Sequence, residues 1–296
     1  MKKRKGGFRH AVQAAYTALT NAYVIGFIRG TVYGGPTKYV CVPGLNCYAC
    51  PGALGACPIG ALQAVLGSSK YKFSYYVVGF IIAFGALCGR LICGFLCPFG
   101  FVQDLLHKIP FPKKVRTFKG DKTLRKLKYV ILAVFVLLLP MLIKNDAGSG
   151  TPWFCKLICP AGTLGGGIPL TAANSALGQM TGWLFDWKLL ILAAVLLLSV
   201  VVYRPFCKYL CPLGAIYSFF NKASLYSMGI DPEKCIKCGA CEHACKMNVP
   251  VMTDQNHPEC IRCGDCKRAC PKGAIYSGIR IRGRQAQKKS DGAGLT

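Results

Sequence analysis

The sequence predicts a mainly α membrane protein, with four transmembrane helices in two parallel two-helix repeats and a smaller cysteine-rich α+β module at the C-terminus. Three observations predict this. The 296-residue chain is 53% hydrophobic and only 16% charged, a balance that favours lipid over water as solvent. An internal repeat relates two stretches 114 residues apart. The chain also holds 19 cysteines, most of them regularly spaced. A secreted disulfide scaffold accounts for a high cysteine count but not for long apolar segments.

The four segments are Ala11–Ile28, Phe73–Gly89, Tyr129–Ile143 and Leu189–Tyr203. The last two are shorter than the ~20 residues a span usually needs. Their flanking Lys128, Lys144, Lys188 and Arg204 can snorkel, and Trp183 and Trp187 suit an interface. The competing reading is four core helices of a soluble protein. The formal charge of +26 resembles a nucleic-acid signal, but the basic residues sit at segment ends and in one loop, which excludes that partner class. Lys2–Lys5, Arg9, the Lys108–Lys128 loop and the region after the fourth segment are basic, whereas 30–72 and 144–187 are sparse in Lys and Arg. Both termini and the middle loop are therefore expected to be cytoplasmic, and the two sparse loops external, in a multi-pass inner-membrane protein. No secretory leader is evident.

The repeat copies are RLICGFLCPFGFVQDLLHK from Arg90 and RPFCKYLCPLGAIYSFFNK from Arg204. They share R-x-x-C-x-x-L-C-P-x-G, and each ends a helix pair. The simplest architecture is two parallel repeats about an axis along the membrane normal. The organisation expected is a membrane part over 1–224, a cytoplasmic module over 225–280 and a basic polar tail over 281–296.

Two runs in the module carry the strongest motif. Cys235, Cys238, Cys241 and Cys245 form C-x2-C-x2-C-x3-C, and so do Cys260, Cys263, Cys266 and Cys270. This is the bacterial two-cluster ferredoxin pattern, in which the fourth cysteine of each run serves the other cluster. One 4Fe–4S set is then Cys235, Cys238, Cys241 and Cys270; the other is Cys260, Cys263, Cys266 and Cys245. Zinc is the rival ligand of four-cysteine sites, and two copies of the same run argue against it. His243 and His257 are expected to be surface residues.

Cys93/Cys97 and Cys207/Cys211 are paired C-x3-C-P units that the charge argument places on one side. Together they make four thiolates, enough for one 4Fe–4S cluster. The proline after each second cysteine fits the first turn of a following helix, whose free N–H groups would face the sulfurs. Arg90 and Arg204 are suited to the negative charge of such a site, or to interfacial snorkelling. The sparse loops hold Cys47, Cys50 and Cys57, then Cys155 and Cys159, with C-P-x-G recurring at Cys57 and Cys159. Five thiols offer four ligands for a second membrane-face cluster and leave one spare; a disulfide is the alternative. Cys41 and Cys88 match no repeat and are expected to be buried or free thiols rather than ligands.

These residues resemble membrane-bound 4Fe–4S polyferredoxins of the NapH, NosR and CcoG type. The resemblance rests on the paired C-x3-C-P units, the apolar segments and the double ferredoxin run, and covers nearly the whole chain. It implies an electron-transfer subunit of an oxidoreductase system, passing electrons between a cytoplasmic ferredoxin, flavoprotein or quinone pool and a partner at the membrane. The extra external cysteines set this chain apart and point to a subfamily paired with external flavin-binding partners. The expectation is a transmembrane relay through four 4Fe–4S clusters, with no independent catalytic site. Alternatives are a quinol-linked donor subunit and an iron–sulfur assembly or regulatory factor.

Overall fold

The computed structural model describes residues 7–67, 74–112, 114–144, 150–174, 178–179 and 182–279. The expected tail over 281–296 lies outside the described residues. Among the described residues the chain is mostly helical, with one two-stranded antiparallel sheet, Tyr226–Ile230 against Ile275–Ile279, bracketing the C-terminal module.

Among the described residues one helix, Trp183–Val201, is long and apolar enough to cross a membrane. The other expected spans are shorter or interrupted. Ala11–Ile28 divides into the helices Gly7–Thr20 and Val24–Arg29. The break has a local cause. The Thr20 carbonyl accepts from the Leu54 amide (3.0 Å) and Asn46 Nδ2 (3.3 Å), and Asn21 Nδ2 turns back onto the Thr17 carbonyl (3.0 Å). Loop 46–54 thus takes the carbonyl that would have continued the helix, and an uncharged N-A-Y stretch gives hydropathy no warning. The second segment forms Ser74–Cys88, of 15 residues. The third is helical from Leu127 to Leu142 but widens to π geometry over Leu132–Leu138. Pro140 follows this widening, and a second π turn, Thr163–Gly167, is followed by Pro169. Proline has no N–H to donate, so the preceding turn loosens.

Three basic segments expected on one side do meet. Arg9 from the first helix, Lys108, Lys114 and Arg116 from the middle loop, and Tyr203 and Lys246 from the C-terminal part line one cleft. The core beneath gathers residues from every part of the chain, including cysteines of all the repeats.

The C-terminal module carries its own two-fold pattern. Positive φ occurs at Lys237 and Arg262, at Gly239 and Gly264, and at Asn248 and Gly273, each pair 25 positions apart. Four of these are unstrained or tolerated positions, but Lys237 (φ 51°) and Arg262 (φ 53°) adopt a conformation that costs an ordinary side chain about 1 kcal/mol or more. The turn around the cysteines demands it.

Candidate functional site

The structure draws the module's cysteines together crosswise. Cys235, Cys238, Cys241 and Cys270 line one cavity, and Cys245, Cys260, Cys263 and Cys266 line another. The fourth cysteines accept matching backbone N–H bonds, Val249 to Cys245 Sγ (3.5 Å) and Ala274 to Cys270 Sγ (3.3 Å). The first set opens outward, with Cys238 exposed. The second faces the helices. Asn221 Nδ2 donates to the carbonyls of Cys260 (2.8 Å) and His257 (2.9 Å), and Arg262 donates to the carbonyls of Cys88 (2.8 Å) and Asn221 (2.6 Å). His243 is exposed, while His257 is half-buried and accepts from the Glu259 amide (3.1 Å).

Cys93, Cys97, Cys207 and Cys211 are all buried and within electrostatic range of one another. Cys97 and Cys211 cap the helices Pro98–Lys108 and Pro212–Phe220, with the proline in the first turn. Their sulfurs accept from the Gly100 (3.4 Å) and Gly214 (3.3 Å) amides. The expected helix starts are therefore present, and in each helix one otherwise orphaned donor is turned onto sulfur.

Arg90 and Arg204 do not snorkel; both are 0% exposed. They cross between the repeats. Arg90 donates to the Cys207 carbonyl (3.2 Å), and Arg204 donates to the Cys93 carbonyl (2.5 Å). The glycine of each C-P-x-G leaves room for this. A Cβ on Gly100 would lie 3.2 Å from Arg204, and one on Gly214 3.4 Å from Arg90. Burial pushes the Cys93 thiol up, and the two guanidiniums pull it part of the way back. Each arginine has a buried acid. Asp104 takes Arg204 Nε (2.7 Å) and Arg9 (3.1 Å). Glu259 takes Arg90 (2.7 Å) and Lys128. Burial raises the Glu259 carboxyl, but Arg90 and Lys128 outweigh it and hold the group down at about 2. In the repeat, the position matching Asp104 is Ser218. The second acid is thus supplied by the ferredoxin module, beside Cys260.

A third residue type at this site was not anticipated. Gln103 is fully buried. Its Oε1 accepts from the Phe206 amide (3.2 Å) and its Nε2 donates to Cys207 Sγ (3.3 Å). One amide group therefore fixes both the ligand sulfur and the backbone just before it.

The remaining five thiols are linked to this site through loop 43–46 and Tyr217. Loop 43–46 packs onto the Pro98 helix start, where the Leu45 amide reaches the Cys97 sulfur. Tyr217, fully buried, donates to the Pro43 carbonyl (3.0 Å). It lies within electrostatic range of Cys93, Cys97 and Cys57. Cysteines of both sets belong to one hydrophobic core. Cys57, Cys155 and Cys159 come together there with Cys47. Cys50 lies beside them, its thiol donating to Asn21 Oδ1 (3.5 Å). All these cysteines are free thiols. Cys41 is buried in the core and Cys88 is half-buried, and neither joins a set.

The donor chemistry fits iron–sulfur clusters. The sets are all-thiol, and amide N–H groups point at their sulfurs, as such clusters require.

Comparison with known proteins agrees. A family described as "4Fe-4S binding domain" matches residues 72–118 and 187–228, and a second family of that description matches 228–251 and 256–276. The first match falls on the two C-x3-C-P repeats and the second on the two ferredoxin runs. Among curated relatives, an uncharacterized protein of Methanocaldococcus jannaschii is 28% identical over 206 residues, 67% of this chain and 68% of its own. The methylamine utilization ferredoxin-type protein MauN of Methylorubrum extorquens is 29% identical over 193 residues, 64% of this chain and 55% of its own. The ferredoxin-type protein NapH of Escherichia coli is 26% identical over 207 residues, 67% of this chain and 64% of its own. The chain thus spans between about half and two thirds of the length of these relatives. No solved structure matches. With its 4Fe–4S binding-domain matches and its ferredoxin-type relatives, the chain is similar to 4Fe–4S polyferredoxins.

Proposed function

We propose that this electron-transfer protein relays electrons across the inner membrane, from a cytoplasmic ferredoxin or flavoprotein to an external flavin-carrying partner. Four 4Fe–4S clusters, when bound, supply the one-electron chemistry. Cys235, Cys238, Cys241 and Cys270 would hold the first, and Cys260, Cys263, Cys266 and Cys245 the second. Cys93, Cys97, Cys207 and Cys211 would hold the third, and the loop thiols the fourth. The four apolar segments form the membrane part, with the ferredoxin module and both termini on the cytoplasmic side.

One observation supports this reading: individual contacts link neighbouring thiol sets in series. The exposed end is at Cys238. The Cys260 loop is pinned to the helices by Asn221, and a Cβ on Gly94 would lie 2.4 Å from the Ile261 carbonyl, so only glycine permits this approach. Tyr217 is then within electrostatic range of both the C-x3-C-P set and the loop thiols, and the Leu45 amide reaches the Cys97 sulfur. The protein residues orient sulfurs, exclude water and balance charge; none acts as nucleophile or base.

The test is reconstitution into sealed vesicles with a reduced low-potential donor inside and a flavoprotein outside. Reduction of the external flavin supports the relay, and no transfer with all clusters in place sinks it. A quinol-linked role is the second reading. It is favoured by the cleft where His10, His107, Tyr203 and Asp104 meet beside the module. Quinol added from the membrane would then reduce the clusters.

A further inference from the structure

The loop thiols form a second copy of the C-x3-C-P site, and the copy extends to the amide that holds it. Gln63 is fully buried. Its Oε1 accepts from the Phe154 amide (3.0 Å), its Nε2 donates to Cys155 Sγ (3.4 Å), and the same Nε2 lies 3.3 Å from the Ile59 carbonyl. Gln103 makes the same three contacts with the Phe206 amide, Cys207 Sγ and the Phe99 carbonyl. Both glutamines stand six residues after a C-P-x-G cysteine, Cys57 or Cys97, and both grip the cysteine of an F-C-K triplet. The matched family covers the Gln103 copy and not the Gln63 copy.

The correspondence decides which of five thiols belong. Cys57 takes the place of Cys97, Cys155 that of Cys207 and Cys159 that of Cys211. The fourth place falls between Cys47 and Cys50. A Cβ on Gly162 would lie 3.5 Å from Cys47 Sγ and 3.9 Å from Cys159 Sγ, and a Cβ on Gly60 3.9 Å from Cys155 Sγ. The two C-P-x-G glycines thus face Cys47 and Cys155 in equivalent ways. Cys47 is also within electrostatic range of Cys57, Cys155 and Cys159. Cys50 differs: a Cβ on Gly165, not on a C-P-x-G glycine, would lie 3.7 Å from its sulfur, and its thiol donates to Asn21 Oδ1 (3.5 Å).

From this geometry we infer that Cys47, Cys57, Cys155 and Cys159 are the ligands of one 4Fe–4S cluster, that Gln63 is its positioning residue and that Cys50 is not a ligand. The inference rests on the relay reading for its purpose, not for its ligands. The full chain, purified without oxygen, tests it by iron content and EPR. Cys47→Ala loses about four iron atoms per chain, and Cys50→Ala loses none. Gln63→Glu, which keeps the acceptor but removes the donor to sulfur, retains the iron and changes the one EPR signal that Cys47→Ala abolishes, leaving the others alone. Loss of about four iron atoms in Cys50→Ala overturns the ligand choice, whether or not Cys47→Ala folds. An unchanged spectrum in Gln63→Glu overturns the positioning role. Iron as expected with no transfer to an external acceptor would sink the relay and leave this site standing.

Discussion

Replacing Glu259 by Gln tests how the ferredoxin module is held. The carboxylate faces Arg90 at 2.7 Å and also meets Lys128. Both cations are 0% exposed. Removing the negative charge strands two buried positive charges in a site that water does not reach. Breaking one buried pair costs about 3–5 kcal/mol, which lowers the docking equilibrium about a hundred- to several thousand-fold. The neutral amide retains hydrogen bonding, so the loss falls toward the lower end. The contacts next to it are the Asn221 bonds to His257 and Cys260, so segment 256–262 reports the change. Hydrogen exchange followed by mass spectrometry should show faster exchange there and little change in Trp183–Val201. Adding Lys128→Met removes one stranded cation and restores part of the protection. Unchanged exchange in Glu259→Gln would refute the idea that this ion pair docks the module.

Two further outcomes follow from buried groups. Burial raises the Asp104 carboxyl, and Arg204 and Arg9 more than offset this, holding it well below the usual range. A depressed folded value means that its stabilisation is complete above the unfolded value near ~4 and is lost as pH falls toward the folded one; limited proteolysis should therefore show the Arg9–Asp104–Arg204 region equally protected from pH 8 to 5 and opening only below ~4. Tyr217→Phe strips the Pro43 carbonyl of its donor and should lower stability by about 1–3 kcal/mol in thermal unfolding, with iron content unchanged.

Much of the site is legible in the sequence because thiolate ligands need fixed spacing. The ferredoxin runs lead to two cavities with the crosswise membership that the motif implies. The C-x3-C-P pairs meet as their repeat suggests. What is not legible is what lies between sites. Asp104 and Glu259 are ordinary acids in sequence, and their roles appear only when Arg90 and Arg204 are seen to cross between repeats. A signal for Glu259 exists: it precedes Cys260, where Lys234 precedes Cys235 in the other run. Gln63 and Gln103 also share a visible register after C-P-x-G. Hydropathy misplaces the first helix because Thr20 ends it through its carbonyl, a long-range backbone contact with no compositional trace. Charge counting separates loops by side but not by depth, so it does not show that loop 43–46 reaches the Cys97 sulfur.

The central claim is that this chain holds four iron–sulfur clusters, two in the ferredoxin module and two among the helices. Iron and acid-labile sulfide determined on the purified, oxygen-protected chain test it most directly. The account predicts about sixteen of each per chain. About twelve would remove the Cys47, Cys57, Cys155 and Cys159 site. About eight would leave only the ferredoxin module and contradict both sites among the helices.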